Sequence, residues 1–501
     1  MKNRTKMAII NSIVAAAAQI LTILIQFVAR TFFIKILGEQ YLGLNGLFVN
    51  VLGVLNLAEM GIGSAITFSL YGPLAAGDKS QIAAIMNYLK KWYRYIAVAV
   101  ILVGLLVTPF VPSLIADNHH FSNAQIMMYF VIALSGTIST YLLSYKRTLL
   151  IADQKGYVNS LNTLYFNLAT QILQIVMLIL THSFLLYLTI QVVMNLMSNY
   201  MIAKKVDGAY EYLNDKTSRI SSEVLYFFKK NMQGMISAKL GGVVVNGTDN
   251  LILSAFLGLS SVAKYANYAL IMTGLTAVLT QAISAVSSSI GNLAANNESK
   301  TKEMAVFNNY FAITGVLSLG VAIGFAVFSP QFITMWVGEK YVLSKLTVFL
   351  IVFNFFVQAL RQALIGYANS YGLYWQQRFK PIFEATVNLV VSIILVTLFK
   401  MGISGVVLGT ITSNILVNFW WEPLVVFRYG LQQKMNRFLV LYATVLVVGG
   451  TLIIGSVFIG YKISGFWVAV STTIGFTIFG VLILIMMFRL FSINVFKIFR
   501  R

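Results

Sequence analysis

The chain contains no cysteine, only three histidines and only 15 acidic residues in 501. Without a thiol there is no disulfide framework and no thiolate site for metal or catalysis. His119, His120 and His182 fall in short segments between apolar runs. Loop histidines without positioned partners rarely catalyse, and Asp117 is the one acid beside the first two. No glycine-rich phosphate loop followed by lysine occurs, which argues against direct nucleotide hydrolysis. Nor is there a long polar stretch. The longest runs from Lys204 to Lys230, about 27 residues and too short for a soluble domain. No cleavable leader is expected either. Ala15 to Ala18 imitate a cleavage site, but the apolar run continues well past them.

What is present is apolar. Hydrophobic residues make up 58% of the chain and charged residues 10%. Runs of roughly 20 apolar residues recur from end to end, each long enough to cross ~30 Å of hydrocarbon. The fold class that follows is an all-α integral membrane protein with about fourteen transmembrane helices. The spans are expected near 8–36, 42–70, 92–112, 124–151, 158–181, 184–203, 231–257, 262–293, 304–329, 343–370, 381–400, 404–427, 438–460 and 465–488.

A net charge of +21 would suggest a nucleic-acid partner in a soluble protein. Here the positive-inside rule accounts for it, and no nucleic acid is expected. With the N-terminus inside, 27 of the 36 Lys and Arg fall in cytoplasmic segments and five (Lys35, Lys340, Lys345, Lys400, Lys462) outside. Both termini are then cytoplasmic, as an even number of spans requires. Trp92, Tyr93, Trp375, Trp420 and Trp421 cluster at the inner rim as interfacial anchors.

The chain repeats itself weakly. Ile36-Leu37-Gly38 closes the first span and Phe256-Leu257-Gly258 the seventh. Pro73-Leu74-Ala75-Ala76 follows the second span and Asn292-Leu293-Ala294-Ala295 the eighth. Landmarks that keep one spacing signal repeated architecture. The alternative is chance similarity between Leu/Ala-rich helix ends. The repeat implies two parallel six-helix units: 1–203, a cytoplasmic linker 204–230, then 231–437, with 438–501 adding two helices and a basic tail. Parallel repeats of this kind occur in secondary transporters, with the substrate site at the repeat interface.

Four cations interrupt the apolar segments: Arg30, Lys239, Lys264 and Arg361. A charge at the centre of a bilayer costs about 2.5–3.5 kcal/mol on insertion scales, so it usually faces a wet pathway or a partner. Lys239 and Arg361 are deep. Arg30 lies about 9 Å and Lys264 about 3 Å from an outer span end at the helical rise, so both can snorkel. The deep acids are read as Glu59 and Asp249, which leaves the cavity cationic and suited to an anion.

Polar residues line single helical faces. The first span carries Gln19, Gln26 and Arg30, and the seventh Lys239, Asn246 and Asp249. The tenth carries Asn354, Gln358 and Arg361. Small and hydroxyl residues on such faces also serve as helix–helix glue. The alternative for Glu59 and Asp249 is structural pairing with a buried cation.

Tyr41-Leu-Gly-Leu-Asn-Gly-Leu-Phe48, Glu59-Met-Gly-Ile-Gly-Ser64, Tyr71-Gly-Pro-Leu74 and Thr248-Asp-Asn-Leu-Ile-Leu-Ser-Ala-Phe-Leu-Gly258 resemble polysaccharide transporters of the multidrug/oligosaccharidyl-lipid/polysaccharide (MOP) flippase superfamily. The likeness extends over most of the chain. It implies a Wzx-type flippase in a bacterial plasma membrane, with no cofactor and no enzyme activity. Its partners would be a polyprenyl-diphosphate-linked oligosaccharide, membrane lipid and other polysaccharide assembly proteins. On that reading Arg30, Lys239, Lys264 and Arg361 bind diphosphate, for which Arg offers a fork and Lys a point charge. Gln26, Asn246 and Gln358 meet sugar, while Asp249 and Glu59 couple transport to protons or sodium. No metal site is expected. The alternatives are an ion-coupled multidrug exporter of the same fold and a peptidoglycan-precursor flippase.

Overall fold

The computed structural model describes residues 2–55, 69–70, 72–74, 76–116, 120–153, 155–214, 220, 248–280, 300–371, 373, 375–463, 465–491 and 493. Among these residues the secondary structure is helical, with no strand. Among the described residues twelve helices are long and apolar enough to cross a membrane. The difference from fourteen has a local cause. The second expected span is described only to Leu55, and the seventh and eighth share one helical run that is described from Thr248. The segments 56–68, 221–247 and 281–299 lie outside the described residues, as do positions 215–219 of the expected linker and the tail 494–501.

The chain forms two compact units, Met1–Ala263 and Lys264–Arg501. The first contains α1 (Lys2–Leu37), α2 (Glu39–Leu55), α3 (Lys79–Val107), α4 (Asn123–Leu143), α5 (Tyr145–Ala152), α6 (Gly156–Thr181) and α7 (Phe184–Ala209). It also holds the start of α8 (Thr248–Thr280). α1 packs along α6, and α7 lies against both α4 and α6. Helix starts are fixed by short polar side chains. Ser122 caps α4 and exchanges a reciprocal bond with Gln125, so two otherwise orphaned donors are satisfied. Asp78 caps α3 through the amide of Gln81.

The repeat landmarks share a backbone conformation. Gly38 has φ +86° and Gly258 has φ +79°, a left-handed region that glycine enters without a Cβ penalty. The chain therefore turns between α1 and α2, and turns again within α8. Nearby, α2 and α8 meet closely. A Cβ on Gly43 would overlap the backbone carbonyl of Leu259, the kind of small-residue approach that replaces hydrophobic driving force between helices in lipid. Ser254 then fixes α8 to the segment after α3. Its hydroxyl donates to the carbonyl of Leu114 at 2.7 Å, and its carbonyl accepts from the amide of Ala116 at 3.0 Å.

The second unit contains the rest of α8, then α9 (Lys300–Trp336), α10 (Lys345–Ser370), α11 (Lys380–Thr397), α12 (Ile403–Leu431), α13 (Asn436–Gly460) and α14 (Phe466–Leu490). α9 is the hub, touching α10, α13 and α14. Its aromatic core sets Phe307 against Tyr367, Phe427 and Phe438, with ring centroids at 5.3, 5.5 and 5.3 Å. Such tilted and edge-on pairs add to burial. α14 presents Trp467, Ile474, Ile478, Leu482 and Met486 outward. That exposed apolar face is what a lipid-facing helix needs.

α12 is not a regular helix. Residues Asn414–Asn418 and Val426–Leu431 form π-helical turns on either side of Glu422-Pro423. Proline removes one intrahelical donor and crowds the preceding turn, and single π turns of this kind frequently accompany functional positions.

Candidate functional site

Three helices of the second unit bring a charged network together. α11 carries Lys380, Glu384, Asn388 and Ser392 at steps of four, and α12 carries Thr410, Asn414, Asn418 and Glu422 at the same steps. Each set lies on one helical face. All eight are buried. α10 contributes Asn354, Gln358 and Arg361.

Arg361 is the centre. Its Nε donates to Oε2 of Glu422 at 3.1 Å and its Nη2 to Oε1 at 2.7 Å. The Nη1 group reaches Gln358 Oε1 at 2.9 Å, Glu384 Oε1 at 3.5 Å and the Asn414 carbonyl oxygen. Lys380 Nζ approaches the same Glu422 Oε1 at 2.6 Å. Asn414 passes the chain on to Asn354 at 3.2 Å, and Asn418 donates back to Asn414 at 2.8 Å. Farther along, Asn388 donates to Thr410 at 2.8 Å and Ser392 to the Val406 carbonyl at 3.3 Å. Two cations and two anions thus cancel within one buried cluster. Forked Arg–carboxylate bonding is the strong form of such a pair.

This arrangement corrects the sequence reading at two points. Lys380, read as a cytoplasmic charge, is only 7% exposed and bonded to Glu422. Glu384 and Glu422, left out of the deep acids, are 7% and 1% exposed. The excess of buried cations therefore shrinks. A signal was available: both acids interrupt apolar segments, and each sits on a four-residue polar stripe.

The other candidates are placed separately. Gln26 and Arg30 are half-buried on α1 in the first unit, with Tyr187 of α7 in electrostatic reach of Arg30. Asp249 is buried at the described start of α8, in the same unit. Lys264 is half-buried and opens the second unit. Glu59, Lys239 and Asn246 lie outside the described residues. Of the candidates, the structure brings Arg361 and Gln358 into direct contact. Among the described residues no group of three or more acids and histidines is arranged to hold a metal.

Solved structures share this architecture. A lipid II flippase, MurJ, in an inward closed conformation superposes with a TM-score of 0.68 at 13% identity, over 96% of this chain and 99% of that one. The chain shares the fold of this transporter. An inward-facing multidrug resistance MATE family transporter of the MOP superfamily superposes at 0.59 and 16% identity, covering 83% of this chain and 98% of that one. A mutant of the Vibrio cholerae MATE transporter VcmN gives 0.58 at 15% identity over 87% and 99%. No family model and no curated relative matches the sequence. The chain is a multi-pass membrane protein whose structural neighbours are transporters.

Proposed function

We propose that this chain is a flippase for a lipid-linked oligosaccharide. It would move an undecaprenyl-diphosphate-linked repeat unit of a cell-surface polysaccharide from the inner to the outer leaflet of a bacterial plasma membrane. The observation that carries the reading is the extent of likeness to the lipid II flippase, 96% of this chain at a TM-score of 0.68. The drug transporters cover 83% and 87% at 0.59 and 0.58. The resemblance of Tyr41–Phe48 and Thr248–Gly258 to the polysaccharide branch directs it away from a peptidoglycan precursor.

On this reading transport is by alternating access, with the substrate's site open to one side and then to the other. Arg30, Lys239 and Lys264 serve the diphosphate, and Gln26 and Asn246 serve sugar. Arg361 has its fork committed to Glu422, so we assign it, with Gln358, to holding α10 against α11 and α12. Asp249 and Glu59 are the coupling candidates. Binding alone moves nothing uphill, so net flux needs ion coupling or consumption of product outside.

An ion-coupled exporter of cationic drugs is the second reading. The buried carboxylate Asp249 favours it, whereas Glu384 and Glu422 are paired with Arg361 and Lys380. A deletion strain separates the two. Lipid-linked oligosaccharide trapped inside, with surface polysaccharide lost, supports the flippase. Unchanged polysaccharide with greater sensitivity to cationic drugs supports the exporter.

A further inference from the structure

Arg361 has a counterpart in the first unit that solves the same physical problem differently. Arg147 follows the break at Ser144 that separates α4 from α5. In sequence it counts among the cytoplasmic cations, at the inner end of the expected span 124–151. In the structure its guanidinium is half-buried against α6 and α7. Nε donates to Asn199 Oδ1 at 3.2 Å. Nη1 donates to Asn159 Oδ1 at 2.5 Å and to Thr163 Oγ1 at 3.2 Å. Nη2 donates to Asn162 Oδ1 at 3.1 Å, Ser198 Oγ at 2.9 Å and Asn199 Oδ1 at 3.1 Å. Among the described residues, none of its partners is a carboxylate.

Among the described residues the hydrogen bonds are therefore met, but the charge is not. Amide and hydroxyl dipoles satisfy N–H groups without cancelling a unit charge, and an uncompensated buried charge is costly. Burial lowers the Arg147 pKa with no carboxylate acting to raise it. The adjacent Lys146 shows that a carboxylate is within the fold's reach. It is paired with Asp207, at 2.6 and 2.5 Å to the two oxygens. Arg147 is turned away from that acid into a neutral cradle.

The cradle is open at one edge. Thr163, which takes one Nη1 bond, is exposed. Beside the polar residues on both helices stand outward apolar ones: Leu161 and Tyr165 on α6, Met197 and Met201 on α7. In a membrane protein those positions face acyl chains, so a lipid phosphate can come to the edge of the guanidinium. All five guanidinium N–H groups are already donated, so a phosphate oxygen would enter by replacing the exposed Thr163 hydroxyl on Nη1, with the uncancelled charge of Arg147 as the attraction.

We propose that Arg147, with Thr163, Asn159 and Asn162 around it, forms a binding site for a phosphate-bearing anion at the α5–α6–α7 junction. The phosphate would be that of an anionic phospholipid headgroup or of a free phosphate ion. Basic pockets between transmembrane helices on the positively charged side bind anionic headgroups in this way. The site is separate from the residues assigned to the transported lipid, and it holds whether that lipid carries sugar or not.

The test uses the purified full-length protein in mild detergent. Lipid retention is read by native mass spectrometry from an equimolar mixture of phosphatidylglycerol and phosphatidylcholine. Inorganic phosphate is titrated in parallel by thermal shift, against chloride at equal ionic strength. The wild type is expected to retain phosphatidylglycerol selectively, and Arg147→Gln to lose about tenfold of that selectivity, the scale of one charge-assisted contact. Arg147→Lys should keep more of it than Arg147→Gln. Saturable stabilisation by phosphate without lipid selectivity would identify the free ion as the source. Equal retention of both lipids by the wild type, with no response to phosphate, overturns the proposal even if Arg147→Gln fails to fold. It is also overturned if the exposed pair Lys90→Gln/Lys91→Gln loses as much selectivity as Arg147→Gln, because the effect then belongs to the general basic belt.

Discussion

Arg361 and Glu422 form a two-pronged ion pair across 61 residues of sequence, at 3.1 and 2.7 Å, with both side chains almost wholly buried. The pair ties α10 to α12 at the turn before Pro423, and Lys380 ties α11 to the same carboxylate.

Breaking that pair from one side should be costly. Glu422→Gln leaves Arg361 and Lys380 facing a neutral amide. Loss of one partner of a buried pair typically costs about 3–5 kcal/mol. Thermal unfolding of the purified protein should fall sharply for Glu422→Gln and for Arg361→Gln. Arg361→Met combined with Glu422→Leu should lose less than the two single variants add up to. Strict additivity would show that the two side chains do not act as a unit.

Gly43 tests the approach of α2 to α8. Gly43→Ala places a methyl group on the Leu259 carbonyl, and overpacking of this kind costs about 1–3 kcal/mol. Gly53→Ala, on the same helix with open space at its Cβ, is the control. It should leave the thermal midpoint unchanged or slightly raised, since alanine is the better helix former. Equal effects of the two changes would disprove the close contact.

The assigned diphosphate ligands are tested by charge. Arg30→Gln and Lys239→Gln should reduce surface polysaccharide in a complementation assay while membrane insertion persists, and Arg30→Lys should retain more function than Arg30→Gln. Normal polysaccharide from both glutamine variants would remove the cationic-cavity reading.

Alkaline pH should loosen the end of α7. Tyr210 donates to Asp153 at 2.5 Å, and Lys155 contacts both, at 3.1 Å to the phenol and 2.7 Å to the carboxylate. The bond to Asp153 is the largest influence on Lys155 and raises its pKa above the ordinary 10.5. Burial first, then the bond to Asp153, pushes Tyr210 up to about 12. Both groups hold their protons more tightly when folded. Their contribution is thus complete below the ordinary tyrosine value of 10.0 and is lost as pH rises through the folded values. Thermal stability of the wild type should hold to about pH 10 and then decline. Asp153→Asn should lower stability across the neutral range and flatten that decline. Identical curves for the two proteins would show that the tether contributes nothing.

Much of the architecture is legible from the sequence because a bilayer allows few solutions. Apolar runs must be helices whose backbone groups bond internally. The runs at 158–181, 184–203, 438–460 and 465–488 match α6, α7, α13 and α14 within a few residues. Gly38 and Gly258, noticed as repeat landmarks, both adopt the left-handed conformation. The interruption at Ser144 and the π turns around Pro423 were not anticipated. The first leaves the apolar run unbroken, and the second depends on how α12 meets its neighbours.

The candidate site was legible only in part. Arg361 and Gln358 stand three residues apart on one helix, so their contact follows from helical geometry. Lys380 and Arg147 counted among the cytoplasmic cations because they sit at the ends of apolar runs, where sequence cannot separate a solvated cation from one folded inward. Composition and periodicity by themselves determined the helices and the need for every deep charge to find a partner or water. Which charges neutralise one another was decided by the tertiary structure. An ion pair forms within about 4 Å, and that distance depends on the rotation and spacing of helices whose partners lie 42 and 61 residues apart.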